Sequence, residues 1–533
     1  MEISKRIRPV AFWLVLATTF NHLLFWAIIP LWHGPDEQAH FAQVQYLAEH
    51  KRSFPPGVNF TTSEEVVISE RLLGTERNEF GKNRFTHNPG YRIPYSTDIY
   101  GIDEARINNL PKAMRTHLIK TEATYYPPLF YIISSFFYLL ANPFGLIARV
   151  FVTRLASVLM GTALSLVVYK LSQLLYPKDM LKTVTITLLV SLHPMQSFLT
   201  ATVNSDNLMN LLFTAFLYLC CKIIVTQKFS PSHVIALISI SIAGFLTKPH
   251  FAIILPILLL LPMFIKLNPK KLFFLATGFF ILAGLRLNRQ IIDVAQGGDF
   301  AFSDVGLFYL FNPQKNISLL THLGWTMRHT IAEVIPWYWG VFNWLGVVLP
   351  RIVNRIINRI LIIASIGALV WIWKRRFQKK LHPRDHAIIF LGLSTVVFFA
   401  VLLAWDWLYI RGKGFSFGMQ GRYYFPTISA HMIWLLAGIT SLIPSRWKSF
   451  LPAVTKLLGM SMIVLNAVAL YTVTAAYYNL TSISIFFNQI SQYKPLLVKY
   501  PWLILWIATY VISTVKFIYH YLIYAESHSR SRN

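Results

Sequence analysis

Apolar runs long enough to cross a bilayer alternate with short polar connections along most of the chain. A helix needs about 20 predominantly apolar residues to span the hydrocarbon core. On that criterion the pattern predicts a first span from Phe12 to Leu31. Further spans are expected near 147–175, 183–203, 207–226, 232–247, 250–266, 271–288, 351–373, 386–407, 425–443, 449–475 and 500–522. The first run is too long for a signal-peptide core, and no small-residue cleavage site follows it. It reads as an uncleaved helix.

Composition agrees: 55% of residues are hydrophobic and only 13% charged, against about 25% charged in an ordinary soluble domain. A soluble enzyme, a disulfide scaffold and a disordered chain are excluded. The two cysteines, Cys220 and Cys221, are adjacent in an apolar run and form no metal or disulfide framework. The net charge of +27 would suggest nucleic acid in a soluble protein. Here, however, the basic residues sit in the connections: Lys178 with Lys182, Lys222 with Lys228, Lys266 with Lys270 and Lys271, Lys374 to Lys380, Arg446 with Lys448, and Arg530 with Arg532. All fall on the cytoplasmic side if there are twelve spans with both termini inside. A leftover apolar segment, 125–141, would reverse that parity if it crossed. With Pro127-Pro128 at its start, it reads as an interfacial or re-entrant helix on the outer face.

The expected organisation is therefore a first transmembrane helix (1–31) and an extracytoplasmic subdomain (32–146) that contains the interfacial helix. A transmembrane core (147–288), a second extracytoplasmic loop (289–350) and C-terminal transmembrane helices (351–533) follow. No internal repeat or low-complexity tract is visible.

In this topology several polar motifs collect on the outer face. His33-Gly34-Pro35-Asp36-Glu37-Gln38-Ala39-His40 follows the first span. Proline and acids also open ordinary helices, but Asp36 and His40 share a helical face. A carboxylate there can take a proton from a hydroxyl or hold a divalent ion. Val203-Asn204-Ser205-Asp206 is either a helix cap or part of a site. In Thr247-Lys248-Pro249-His250, an outer lysine opposes the positive-inside trend, so Lys248 calls for an anionic partner such as phosphate, unless it merely snorkels. Gln420-Gly421-Arg422-Tyr423-Tyr424 offers a guanidinium suited to phosphate, while its tyrosines also fit an aromatic belt. Asp406, between Trp405 and Trp407, is costly at membrane depth and needs a partner. Arg149 and Arg154 open the second span, where either contacts a lipid phosphate or snorkels. His22 and His193 read as polar packing contacts. No nucleotide-binding loop, serine-hydrolase elbow or HExxH is present.

Together these motifs resemble the GT-C superfamily of membrane glycosyltransferases, in which an acidic motif opens the first extracytoplasmic loop. Tyr126-Pro127-Pro128-Leu129-Phe130-Tyr131 is similar to that superfamily's Pro-Pro-Leu-Tyr-Tyr helix. The Asn204, Lys248 and Arg422 motifs, with Trp339-Gly340-Val341-Phe342-Asn343-Trp344, resemble an uncharacterised prokaryotic branch, akin to the arabinosyl, mannosyl and aminoarabinose transferases. The likeness runs over residues 10–430 and lacks the soluble C-terminal domain of some relatives.

The resemblance implies an all-α polytopic GT-C fold in the plasma (inner) membrane, with its active site on the extracytoplasmic face. It implies transfer of a sugar from a polyprenyl-phosphate donor to an acceptor hydroxyl on a glycan, lipid or protein, with no nucleic acid. Asp36 and Glu37 would be catalytic and would be the residues for any divalent cation, Mg or Mn. Lys248, Arg422 and Arg154 would bind the donor phosphate. His40, Asn204, Asp206, His250, Gln420 and Tyr423 would contact substrate. The competing readings are a transporter or flippase of lipid-linked glycans and a polysaccharide polymerase or ligase. Transporters place their polar groups at mid-membrane on broken, repeated halves, whereas here they gather at one face.

Overall fold

The computed structural model describes residues 2–52, 61–77, 85–95, 100–120, 126–266, 308–311, 313–377 and 381–530, with 277, 278, 281 and 284. The expected span 271–288 lies largely outside the described residues. The described chain is almost entirely helical; its only strands form two small antiparallel pairs. Among the described residues, seven helices are long and apolar enough to cross a membrane: Pro9–Ile28, Leu146–Leu175, Asp206–Thr226, Arg351–Arg376, Pro383–Lys413, Ser445–Tyr477 and Trp502–Tyr524. This is a multi-pass membrane protein.

The N-terminal helix α1 (Glu2–Ile28) packs along the last helix (Trp502–Arg530) and against α6 (Leu146–Leu175). α6 is the central strut, touching α1, α5 (Leu129–Leu140), α7 (Met180–Ser191) and α9 (Asp206–Thr226). Arg351–Arg376 crosses Ile428–Ser441 closely. A Cβ on Gly367 would lie 2.1 Å from the Gly438 carbonyl oxygen, so only small residues permit the crossing.

Several expected spans are interrupted for covalent reasons. The segment 183–203 divides at His193, since Pro194 restricts the residue before it and opens α8 (Pro194–Thr200). The 250–266 segment is a chain of short turns (Pro249–Ile253, Ile254–Leu258, Leu261–Phe264), because Pro249, Pro256 and Pro262 each remove a backbone donor. The leftover segment becomes α5. At 12 residues it is about 18 Å long, well short of a ~30 Å hydrocarbon core. It buries Phe130, Tyr131, Ser134 and Tyr138 and exposes Ile132, Phe136, Leu139 and Leu140.

The first long loop folds onto the membrane helices through α2 (Glu37–His50), which packs on α5, and through α3 (Glu64–Leu73). Strands β1 (Thr61–Ser63) and β2 (Leu118–Lys120) pair Thr61 with Lys120. Glu65 of α3 receives two guanidinium bonds from Arg149 of α6, at 2.7 and 2.8 Å, and Tyr138 of α5 accepts a third at 2.8 Å. Arg149 is thus fully engaged within the protein rather than on a lipid phosphate.

The end of α1 is gripped by distant residues. The Tyr478 hydroxyl donates to the Ile28 carbonyl at 2.6 Å, and the Lys494 ammonium donates to the carbonyls of Ala27, Ile28 (3.0 Å) and Ile29 (3.3 Å). Cations satisfy orphan carbonyls at a helix C-terminus and suit its dipole. Lys494 is buried with them.

Candidate active site

The chain leaves α1 through Ile29–Pro35 and enters α2 at Asp36, whose φ of 55° is left-handed and whose side chain makes no capping bond. That backbone turn sends the two adjacent carboxylates opposite ways. Glu37 points inward, where Arg154 meets it with two bonds of 2.7 Å, and the Val203 amide donates a third at 3.1 Å. Arg154 also donates to the carbonyls of Ile29 and Pro30 at 2.8 and 2.7 Å. Both side chains are fully buried. Arg154→Ala would strand a buried carboxylate, a loss of about 3–5 kcal/mol. A markedly lowered melting temperature in detergent is expected and would identify the pair as a structural clamp.

The same loop is pinned to the turn before α9. Asn204 donates to the Pro35 carbonyl at 2.9 Å and accepts from the Asp206 amide at 2.8 Å. Gly34 lies against Thr202, and a Cβ there would come within 2.5 Å of that side chain.

Asp36 points outward into a cluster of charge. Its Oδ2 accepts from Arg422 at 2.7 Å and its Oδ1 from Arg77 at 3.3 Å. Burial alone would raise its pKa, but the guanidiniums of Arg422 and Arg77 outweigh that and hold the carboxyl well below the usual carboxylate range. Asp206 pairs with the Lys248 ammonium and lies 3.8 Å from the Arg422 Nε. Lys248 sits over the Tyr126 ring at 4.6 Å. His40 meets the Tyr131 hydroxyl through Nδ1 at 3.0 Å. Burial, reinforced by Lys248, lowers its pKa to about 3, so the imidazole is neutral. Gly421 lets this charge approach: a Cβ there would lie 2.2 Å from the Tyr338 amide nitrogen.

These groups surround a cavity of about 250 Å³, lined by Asp36, His40, Tyr126, Asp206, Lys248 and Arg422, with Asn204, His250, Gln420 and Tyr423 completing its polar surface. Phe398, Leu402, Trp405 and Phe417 make its apolar side. A second cavity, of about 160 Å³, lies beyond Asp36 and is lined by His33, Arg77, Thr86 and Trp344 among others. Asp36, Gln420 and Arg422 border both. The carboxylate–guanidinium pair is therefore the wall between two chambers. His33 is buried, with the Asn343 side chain as its polar neighbour.

Asp406 shapes the first chamber without entering it. It accepts from the Ser416 hydroxyl at 3.1 Å and the Phe417 amide at 2.9 Å, with His322 Nε2 at 3.5 Å. It thus anchors the loop that carries Phe417 and Met419 into the cavity wall, which accounts for an acid at that depth.

Of the residues singled out from sequence, Asp36, His40, Asn204, Asp206, Lys248, His250, Gln420, Arg422 and Tyr423 meet at one cavity. Glu37 and Arg154 do not line it. Asp36 and Glu37 also do not converge as a metal pair, and no cluster of three or more metal-ligating side chains occurs among the described residues. The carboxylates that would bind a cation are already matched by Arg77, Arg154, Arg422 and Lys248, so the donor set does not fit a metal. Sequence reasoning missed Arg77, an arginine in a loop of mixed charge with no distinguishing pattern. It also missed the site roles of Tyr126 and Trp344, whose motifs carried the resemblance. The polar stretch Gln296-Gly297-Gly298-Asp299, within the expected second extracytoplasmic loop (289–350), lies outside the described residues.

Among solved structures, the chain is similar to archaeal oligosaccharyltransferase AglB from Archaeoglobus fulgidus, in complex with an inhibitory peptide and a dolichol-phosphate. The identity is 13% and the TM-score 0.44, over 99% of this chain and 56% of that one. The chain thus spans a little over half the length of that protein. The oligosaccharyltransferase of the same organism in complex with Zn and sulfate gives 14% identity and a TM-score of 0.41, over 88% of this chain and 53% of that one. ArnT from Cupriavidus metallidurans bound to undecaprenyl phosphate gives 11% and 0.40, over 98% and 77%. No curated protein matches the sequence. The family model described as Predicted membrane protein (DUF2142) matches residues 20–430, well over half of the chain, and the chain belongs to that family.

Proposed function

We propose that this protein is a GT-C-type glycosyltransferase that moves a sugar from a polyprenyl-phosphate donor to an acceptor hydroxyl at the outer face of the plasma membrane. The observation that carries the reading is the position of Asp36, a third exposed on the wall between two chambers. One chamber supplies fixed cations and an apolar side for a lipid-phosphate sugar. The other offers an indole and an imidazole to a hydroxylated acceptor.

In this mechanism the acceptor hydroxyl enters from the smaller chamber and attacks the anomeric carbon of a donor held in the larger one. The new C–O bond forms as the bond from that carbon to the phosphate oxygen breaks, and its electrons stay on the phosphate. Lys248 and Arg422 offset that growing charge, the place where preorganised donors act most strongly. The proton of the hydroxyl passes to Asp36. A carboxylate held in its ionised form is a weak base, but the hydroxyl becomes strongly acidic as it bonds to carbon, so a weak base suffices. His40, neutral, serves as a hydrogen-bonding group rather than a charge. Glu37 and Arg154 act only by holding the loop that presents Asp36.

Because arginine and lysine occupy the places a metal would neutralise, chelation of divalent ions is expected to leave turnover unchanged. Loss of activity with EDTA, restored by Mn or Mg, would show that a metal is required.

The direct test uses purified protein in lipid with a panel of radiolabelled polyprenyl-phosphate sugars and a crude envelope acceptor fraction. Release of polyprenyl phosphate and labelling of the acceptor by wild type, but not by Asp36→Asn, would support the reading and identify the sugar. Bilayer crossing of the donor without release, unchanged in Asp36→Asn, would replace it with a flippase.

A further inference from the structure

A third cavity, of about 500 Å³, lies at the opposite end of the bundle. The Pro383–Lys413 helix borders it through Ile388 and borders the candidate active site through Trp405. That places the two about 25 Å apart along the helix axis, close to the thickness of a hydrocarbon core. By the positive-inside rule this end faces the cytoplasm.

Its lining carries five cations, Lys182, Lys374, Arg375, Arg384 and Lys448, against one carboxylate, Asp385. Three of the five are already engaged: Lys182 with Asp179 at 3.3 Å, Arg375 with Asp385 at 3.1 Å, and Lys374 with the Ser441 carbonyl at 2.7 Å. Arg384 and Lys448 have no anionic partner among the described residues, and the Arg384 Nε is buried without a hydrogen bond. An unpaired guanidinium nitrogen withdrawn from water is costly unless an anion completes it. Leu175, Ile388, Ala437, Ile443 and Leu451 form an apolar side, while His382, Thr440 and Ser441 add further polar groups. Next to the lining residues Lys374 and Leu451 in the chain, Trp373 and Phe450 carry large exposed rings.

We infer that this cavity binds the phosphate head of an anionic phospholipid of the cytoplasmic leaflet. Arg384 and Lys448 grip the phosphate, and the apolar wall receives the acyl chains. Basic pockets between transmembrane helices on the cytoplasmic side suit such headgroups. The apolar side and the exposed rings of Trp373 and Phe450 favour a lipid over a soluble phosphate. This site is independent of the proposed transfer chemistry.

The test measures lipid retention by native mass spectrometry and melting temperature for the full chain in neutral detergent. Phosphatidylglycerol, phosphatidylcholine and inorganic phosphate are added in separate arms. Wild type should retain phosphatidylglycerol and melt higher with it, and not with the other two. Arg384→Gln/Lys448→Gln should weaken apparent affinity at least tenfold, while Lys222→Gln/Lys228→Gln, a charge-matched change of exposed lysines on the same face, should not. Equal response to phosphatidylcholine, equal stabilisation by inorganic phosphate, or equal loss in both double variants would overturn the assignment.

Discussion

Asp36→Asn should lower sugar transfer by about 10²–10⁴-fold, the usual worth of a positioned general base, while donor binding persists. The amide keeps the size and most of the geometry but cannot take the hydroxyl proton. The exchange should also be tolerated structurally. Asp36 makes no helix-capping bond and its side chain is a third exposed; the amide oxygen of Asn can still accept from the buried Arg422, which also keeps Asp206 at 3.8 Å. The readout is transfer rate beside donor affinity measured by equilibrium binding. Retained transfer with weakened donor binding would show that the carboxylate only organises Arg422, and would overturn its role as base. Glu37→Gln gives the contrasting signature: its partner Arg154 is fully buried, so the expected damage is to folding yield rather than to the rate of folded enzyme.

Arg422→Ala should be the second severe variant, for two separable reasons. It removes a donor to the departing phosphate, and loss of one such preorganised donor costs about 10²–10³-fold in rate. It also removes the largest opposing influence on the Asp36 carboxyl, which burial otherwise pushes upward. In wild type the carboxyl stays ionised throughout the ordinary working range, because its pKa is depressed. His40, lowered to about 3, stays neutral there. The wild-type rate should therefore be flat from about pH 5 to 8 as far as these two groups are concerned. In Arg422→Ala the carboxyl should titrate at higher pH, and an acid limb should enter the profile as pH falls. A reduced but still flat profile would show that Arg77 alone holds Asp36 ionised.

The membrane architecture was legible because an apolar run of the right length has few alternatives. The interruptions could also be read, in principle, since prolines stand at 249, 256 and 262 within one expected span. The charged residues at the site were legible for a related reason: a lysine or arginine away from the basic connections of a membrane chain requires a local partner. What could not be read was the division of labour between Asp36 and Glu37. Adjacent acids at a helix start look alike in sequence, and only the left-handed turn at Asp36 separates the outward carboxylate from the inward one. Arg154 was misassigned to the lipid phosphate for the same reason, since its partner lies 117 positions away. Arg77 gave no signal, because its meeting with Asp36 depends on how a mixed-charge loop folds over the membrane helices.

The grip of Tyr478 and Lys494 on the end of the first helix has a consequence for biogenesis. These two residues lie beyond the 20–430 stretch matched by the family model, yet they hold the carbonyls of Ala27, Ile28 and Ile29, just upstream of Asp36. During synthesis the first helix enters the bilayer long before either residue leaves the ribosome. Until then its carbonyl end lacks those cross-chain partners, and the loop carrying Asp36 hangs from an unfastened support. A nascent chain can thus be fully threaded through the membrane while the Asp36 carboxylate is still unaimed. Competence arrives late, when the closing segment docks on the opening one, so an incomplete chain would carry the chemical groups without the posture to use them.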